Sequence, residues 1–581
     1  MKDQSKTADW TGKSGDSNWN NSSNWEPNEV PSSLANLEVS DQTVITFSPD
    51  IEAQIDSIVF QEDAPSNTFK FGTADASPAL SINGQGMINN STCMQSVIIA
   101  STGAHYYNPK LKFANNASAG GSNMSYYAGP ESLENGYGGG IIGFTDNATA
   151  GSASFIVRTG KLAPPKNIQS TVGAEVSFGD YSTAEKANFT IYGTLGTDGD
   201  TFGNVVFHDH ASADQGTFTN IGGTVSGGDG GNTQFYDNSS AAYGVYHNFG
   251  ATFNKGNGGD VAFDGNADGG YAKFYNYVAE AEEGYGGVTS FNNNPPDMDA
   301  LGASAGHATY HNFGAVKQGQ GGGGHTEFTA KHGSCTGGYA SIVNYGSVLD
   351  SKSTAGHTVF IVEEANNYFP TAGNAVIWNQ PAPVEGGSGG YTQFAMYDLP
   401  VDAPNIPTAG NATIINIGGT KSGAAGGFTS FSNTCKAGSA NLIALGGSNG
   451  GYGGKIEFYD TSTADDASVI LSGNGELNIG DHTGGIRVKY LELTGGIISI
   501  QLGTNLTGLT VMDKLNLKSA QAYFSFWNKD DGGFEYNNSY LVLTAPNLSS
   551  FSTDQFSANS LDGVEPTFEI SGNSLYVSYK K

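Results

Sequence analysis

The chain is 581 residues long, with 84 glycines, 14% charged residues and a formal net charge of −30. Nucleic acid and anionic membrane surfaces are poor partners for it, because binding them needs clusters of Lys and Arg, and only two arginines exist, Arg158 and Arg487. Aromatic residues at 11% and the low charge exclude a disordered polyelectrolyte and leave an ordered β protein rich in tight turns.

Residues 1–40 carry three of the five tryptophans, Trp10, Trp19 and Trp25. They could form a carbohydrate-stacking platform, but a cap shielding the end of a stacked fold is the expected role. The opening MKDQSKTADW has no apolar signal core, and export through a leader already removed is expected from the composition. No run of 18 apolar residues exists, so no transmembrane helix is expected. Strand-like runs follow in TVITF, IDSIVF, NTFKF and SVIIA, and residues 101–140 are less regular.

From Gly139 a repeat becomes legible, and it is clearest in three 28-residue blocks from Asn204 to Gly287. Each block carries a Phe at its fourth position: Phe207, Phe235 and Phe263. Thirteen residues later each has an Asn followed by an apolar residue, at Asn220, Asn248 and Asn276, and each closes on a Gly pair. The Phe position recurs at Phe291, Phe328, Phe360, Phe394, Phe431 and Phe458. The Asn position recurs at Asn312, Asn344, Asn379 and Asn416 and is lost at Ala444. Asn-to-Phe spacing is always 15 or 16 residues, whereas Phe-to-Asn spacing varies from 13 to 22. Length variation therefore falls in one arm, which maps to one side of a stacked solid.

Runs such as TQF, VAF and NATIINI alternate apolar and small polar residues, as a strand with one buried face requires. Stacked units would place the Phe residues in a core aromatic ladder and the Asn residues in an amide ladder, about 4.8 Å per rung. Both ladders read as structural rather than catalytic. Beyond Val488 the runs change register, and residues 515–581 read as a C-terminal β cap. The chain thus divides into an N-terminal cap with irregular coils (1–138), a repeat region of roughly 28–37 residue units (139–488), and terminal coils with a β cap (489–581).

The stretches ADWTGKSGDSNWNNSSNW, SINGQGMINNS, FTDNATAGSASF, TAGNATIINIGGTKSGAAGGFTSFSNT and LSGNGELNIG resemble bacterial autotransporter-associated β-strand repeat proteins. The resemblance covers most of the chain and implies a surface or secreted protein folded as a right-handed parallel β-helix. Many members of that family continue into an outer-membrane barrel or a sorting signal, so any anchor is expected outside this stretch of sequence. The family brings no catalytic motif to carry over.

A search for chemistry finds isolated pieces. Ser388 and Ser448 sit in G-x-S-x-G patterns without the strand-to-helix context of a nucleophile elbow. Cys93, Cys335 and Cys435 are too far apart for a zinc spacing, and the last two follow a ladder Phe in the same arm. His208 and His210 could share one strand face, with His247, His307 and His311 further on, but they make an incomplete metal set. Asp198, Asp200, Asp229, Asp264 and Asp268 flank Gly turns, where Asp also serves its own backbone. Asp465-Asp466 is a candidate carboxylate pair for an inverting hydrolase, read by default as a solvated turn with the two side chains on opposite faces. The basic motif of β-helical pectinolytic enzymes is similar to IRVK at 486–489, which has nothing around it in the sequence.

The expectation is an all-β, right-handed parallel β-helix solenoid with N- and C-terminal β caps. Its expected role is structural or adhesive, at a bacterial surface or outside the cell, without catalytic, cofactor or metal residues. The alternatives are a carbohydrate-active enzyme on the same fold and a self-assembling filament or surface-layer subunit. Loops 291–312, 360–379 and 394–416, rich in Pro, Asp and Tyr, are the expected contacts for a glycan, a host surface or another subunit.

Overall fold

The computed structural model describes residues 6–38, 41–48, 51–71, 79–100, 110–130, 132–135, 139–162, 173–196, 201–291, 302–331, 333–364, 367–397, 399, 403–503, 508–518, 521–528 and 533–581. It is an all-β parallel β-helix, a solenoid of short strands whose only helical segments among these residues are single 3-10 turns. The chain forms two compact units, 1–274 with 279–289, and 275–278 with 290–581.

One coil illustrates the repeat. Asn232–Phe235 is the first strand, paired in parallel with Asn204–Phe207 of the preceding coil. Asp237 then turns the chain at φ +54°, Ser240 makes a single bridge to Ser212, and Ala242 turns it again at φ +47°. Val245–Asn248 is the second strand, paired with Thr217–Asn220. A Gly pair returns the chain to the next first strand. Its second Gly has a steric reason: a Cβ on Gly259 would lie 2.2 Å from the Asn220 carbonyl oxygen. Gly287, Gly324, Gly356, Gly390, Gly427 and Gly454 stand against the equivalent Asn carbonyls.

The core is filled by the ladders. In the first unit, Phe113, Phe144, Phe178, Phe207, Phe235 and Phe263 stack at 4.7–4.9 Å with nearly parallel rings. A second row, Tyr126, Phe155, Phe189, Phe218, Tyr246 and Phe274, stacks at 4.7–4.8 Å and meets the first edge-to-face. In the second unit Phe291, Phe328, Phe360, Phe394, Phe431 and Phe458 stack at 4.6–4.9 Å. The facing row there becomes aliphatic after Tyr310, with Ile342, Ile377, Ile414 and Leu442, all fully buried.

The amide ladder is equally regular. Asn220 donates to Asn248 in the first unit. Asn276, Asn312, Asn344, Asn379 and Asn416 form a chain of 2.7–2.8 Å bonds in the second. The carbonyl oxygens of Asn220, Asn312, Asn344, Asn379 and Asn416 also accept a buried Thr hydroxyl, as Asn344 does from Thr358 and Asn379 from Thr392. These Thr rungs explain the T-x-F spelling of the first strands.

The corner after each Phe carries a third ladder. Asn115, Asp146, Asp180, Asp209 and Asp237 all sit at φ +53° to +58°. Each backbone N–H donates to the carboxylate one coil on, from Asn115 to Asp146 and so to Asp237, at 2.9–3.1 Å. A short side chain that bonds locally tolerates this left-handed backbone. Among the described residues of the second unit the non-glycine left-handed corner recurs at Asn433 and Asp460, after the coils that carry insertions.

Trp10, Trp19 and Trp25 are buried and packed edge-to-face at 4.7–5.0 Å, so they close the N-terminal end of the core. At the other end Ser574–Tyr579 pairs antiparallel with both Ser539–Thr544 and Pro566–Ser571, which forms the C-terminal β cap.

Candidate functional site

The structure redistributes the residues singled out in the sequence. His208 and His210 do not lie on a strand face; the strand ends at Phe207, and they flank Asp209 at the left-handed corner. The periodicity-based reading failed there because the corner begins one residue after the ladder Phe. His208 Nδ1 lies 2.8 Å from Asp209 Oδ2, and His210 stacks on Tyr181 at 5.1 Å. His208, Asp209 and Asp237 bring ligand-type atoms within 4.8 Å of one another, yet both carboxylates already accept corner N–H groups. His307 stacks on Tyr339, His311 stacks on Tyr275, and His247 is half-buried with its pKa lowered by burial, so the three form no set.

Asp198 and Asp200 lie outside the described residues. Asp229 accepts the Asn257 amide, Asp264 is buried, and Asp268 replaces a Ser at the bridge position and accepts the Gly270 N–H. Ser388 bridges Ser347 antiparallel and Ser448 lies in a turn, with no helix after either. Cys335 and Cys435 are buried just ahead of bridge residues Thr336 and Lys436, and burial pushes both thiols up.

Asp465 and Asp466 occupy a solvent-exposed turn, as the default reading has it, with Asp465 at φ +45°. The expectation of two side chains on opposite faces does not hold there, because both residues line one open cleft of about 910 Å³. Arg487 and Lys489 of the IRVK stretch line the same cleft, with His482 and Asp513. The isolation of IRVK in the sequence is thus removed by the coil that carries it past the acidic turn. His482 Nε2 lies 2.7 Å from the Ser462 carbonyl, where the next coil would otherwise offer a backbone N–H. The cleft opens because the row of Ser/Thr bridges stops at Thr463.

A second feature went unread in the sequence. On the outward face of the second strands of the second unit, one row runs Tyr275, His311, Val343, Trp378, Ile415, Ile443 and Ile470. All are partly exposed, and Glu492 is the first charged residue in register. Beside it Tyr277, Phe313 and Tyr345 stack at 5.0–5.1 Å. An apolar outer face of this extent is uncommon on a water-facing sheet. The signal was present as the runs YNY, HNF and WNQ around each ladder Asn, but alternation alone marks one buried face and does not say what the other meets.

The insertions fall where the spacing placed them, between ladder Phe and bridge. Positions 292–301, 365–366, 398 and 400–402 lie outside the described residues. At the flanks of these loops Phe369 and Tyr397 are exposed. No helix among the described residues is long and apolar enough to cross a membrane. No protein-family model matches the chain, and no curated protein is similar to it.

Proposed function

We propose that this chain is a structural or adhesive β-helix protein of a bacterial surface or the extracellular space, of the autotransporter-associated repeat kind. The observation that supports this most is the uncharged outer row from Tyr275 to Ile470 in a chain of net charge −30. Such a face holds little affinity for water and adheres to apolar or neutral surfaces without bringing two acidic bodies into charge contact. The insertions 291–312, 360–379 and 394–416 all fall in the Phe-to-Asn arm of the repeat, and in this reading they supply specificity for a glycan, a host surface or a neighbouring copy.

The test replaces Trp378 and Ile415 with Lys. Adhesion to abiotic and cell surfaces falls while the melting temperature holds; unchanged adhesion sinks the reading. Electron micrographs of the same proteins separate single rods from fibres, and fibres lost in the variant favour the subunit reading.

The carbohydrate-active alternative rests on one specific observation, the assembly of Asp465, Asp466, His482 and Arg487 in one cleft. Product release from neutral and uronate glycans, abolished by Asp465→Asn and Asp466→Asn, is the result that would promote it.

A further inference from the structure

A separate cleft of about 460 Å³ opens on the outward face of the first strands of the second unit. That volume lies within the small-ligand range of about 300–1,000 Å³. Its floor is one register row across four neighbouring strands: Phe428, Lys455, Glu476 and Ile497. Glu457 stands one step along the same face, and glycine-rich turns from Gly387, Gly426 and Gly453 form the wall.

Three features point to a ligand. First, a row of flat side chains, His325, His357, Tyr391 and Phe428, stacks at 4.8–5.0 Å and stops at Phe428, because Lys455 is the next residue in register. One face of the Phe428 ring therefore meets no further ring. Second, the carboxyls differ in surroundings. Glu476 is held by Lys455 at 3.4 Å and by the Ser499 hydroxyl at 2.6 Å. Burial raises the pKa of Glu457, with Lys455 and Tyr459 opposing the shift. Third, the backbone N–H groups of Gly389, Gly426 and Gly453, which line the wall, donate to no acceptor among the described residues.

A ring that ends its row beside Lys455, carboxyl acceptors and wall N–H donors match a ligand that is apolar on its ring face and both donor and acceptor at its rim. A pyranose has that character. Lys352 and Lys455 face Asp350, Glu457 and Glu476 in the same cleft, so the lining carries no excess positive charge to hold an acidic sugar. We propose that this cleft binds a neutral oligosaccharide, with a pyranose packed against Phe428 beside the Lys455 chain and hydroxyls shared between Glu457, Glu476 and the wall N–H groups. The site is distinct from the apolar outer row and does not depend on it.

The test is calorimetric titration of the full chain with xylohexaose, cellohexaose and hexagalacturonate, with Phe428→Leu and Glu457→Gln variants. The expected result is binding of a neutral hexamer, weakened at least tenfold by each substitution, and no binding of the uronate. Phe428→Leu keeps an apolar side chain over Tyr391, and circular dichroism melting verifies the fold. Absence of neutral-hexamer binding, equal binding by both folded variants, or preference for the uronate overturns the proposal.

Discussion

The Asn379 side-chain amide donates to the Asn416 carbonyl oxygen at 2.7 Å, and the Asn416 amide nitrogen has no acceptor among the described residues. The next rung is Ala444, fully buried and in register with Asn416. The ladder thus ends on an orphaned donor, which costs free energy because the amide is removed from water without repayment.

Rungs of this ladder should therefore differ in worth. Asn344→Ala removes bonds with Asn312, Asn379, Thr358 and the Tyr391 carbonyl. It strands buried partners and should cost about 2–3 kcal/mol. Asn416→Ala removes the orphan along with its bonds and should cost about 1 kcal/mol. Denaturant unfolding of the two variants decides it; equal losses would show that the ladder is not cooperative.

The aromatic ladder predicts a larger loss. Phe235 is fully buried between Phe207 and Phe263, each 4.8 Å away. Phe235→Ala leaves a cavity that the stacked strands cannot collapse into, at a cost of about 3–5 kcal/mol. A measured loss below about 1 kcal/mol would contradict a packed ladder.

His357 predicts acid sensitivity. Burial, with His325 stacked beside it and Lys352 nearby, lowers its pKa to about 3. In the unfolded chain a His titrates near about 6.5. Between those values the unfolded chain binds more protons, so stability falls as pH drops from 6.5 toward 3. His357→Phe continues the ring row toward Tyr391 and should flatten this part of the melting-temperature profile. An unaltered acid slope in the variant would rule out His357 as its source.

Glu175 predicts the opposite sign. Its side chain is buried in register with Ile141 and Asn204, and burial raises its pKa to about 7. The folded state then holds a proton that the unfolded state releases, so this contribution is present below pH 4.5 and lost as pH rises through 7. Glu175→Gln should raise the melting temperature at pH 8 and change it little at pH 4.5. A gain at both values would mean that packing rather than ionisation is responsible.

Periodicity by itself determined the solenoid. Asn-to-Phe spacing is constant because those residues span the Gly turn, where a Cβ would strike the Asn carbonyl one coil back, as at Gly259 and Asn220. The Phe and Asn rows were legible for the same reason: each recurs at one depth in every coil. Tertiary structure decided what spacing does not encode. The corner ladder of Asp146, Asp180, Asp209 and Asp237 went unread in the sequence, because only the coil brings each carboxylate to the N–H of its neighbour. The Asp465 turn and Arg487 are separated along the chain, and only the end of the bridge row at Thr463 opens the cleft that both line. The outward row through Trp378 and Ile415 likewise exists only between coils. An alternating strand tells which side chains share a face, while the neighbours across a parallel sheet come from other coils, and their register fixes the chemistry of the surface.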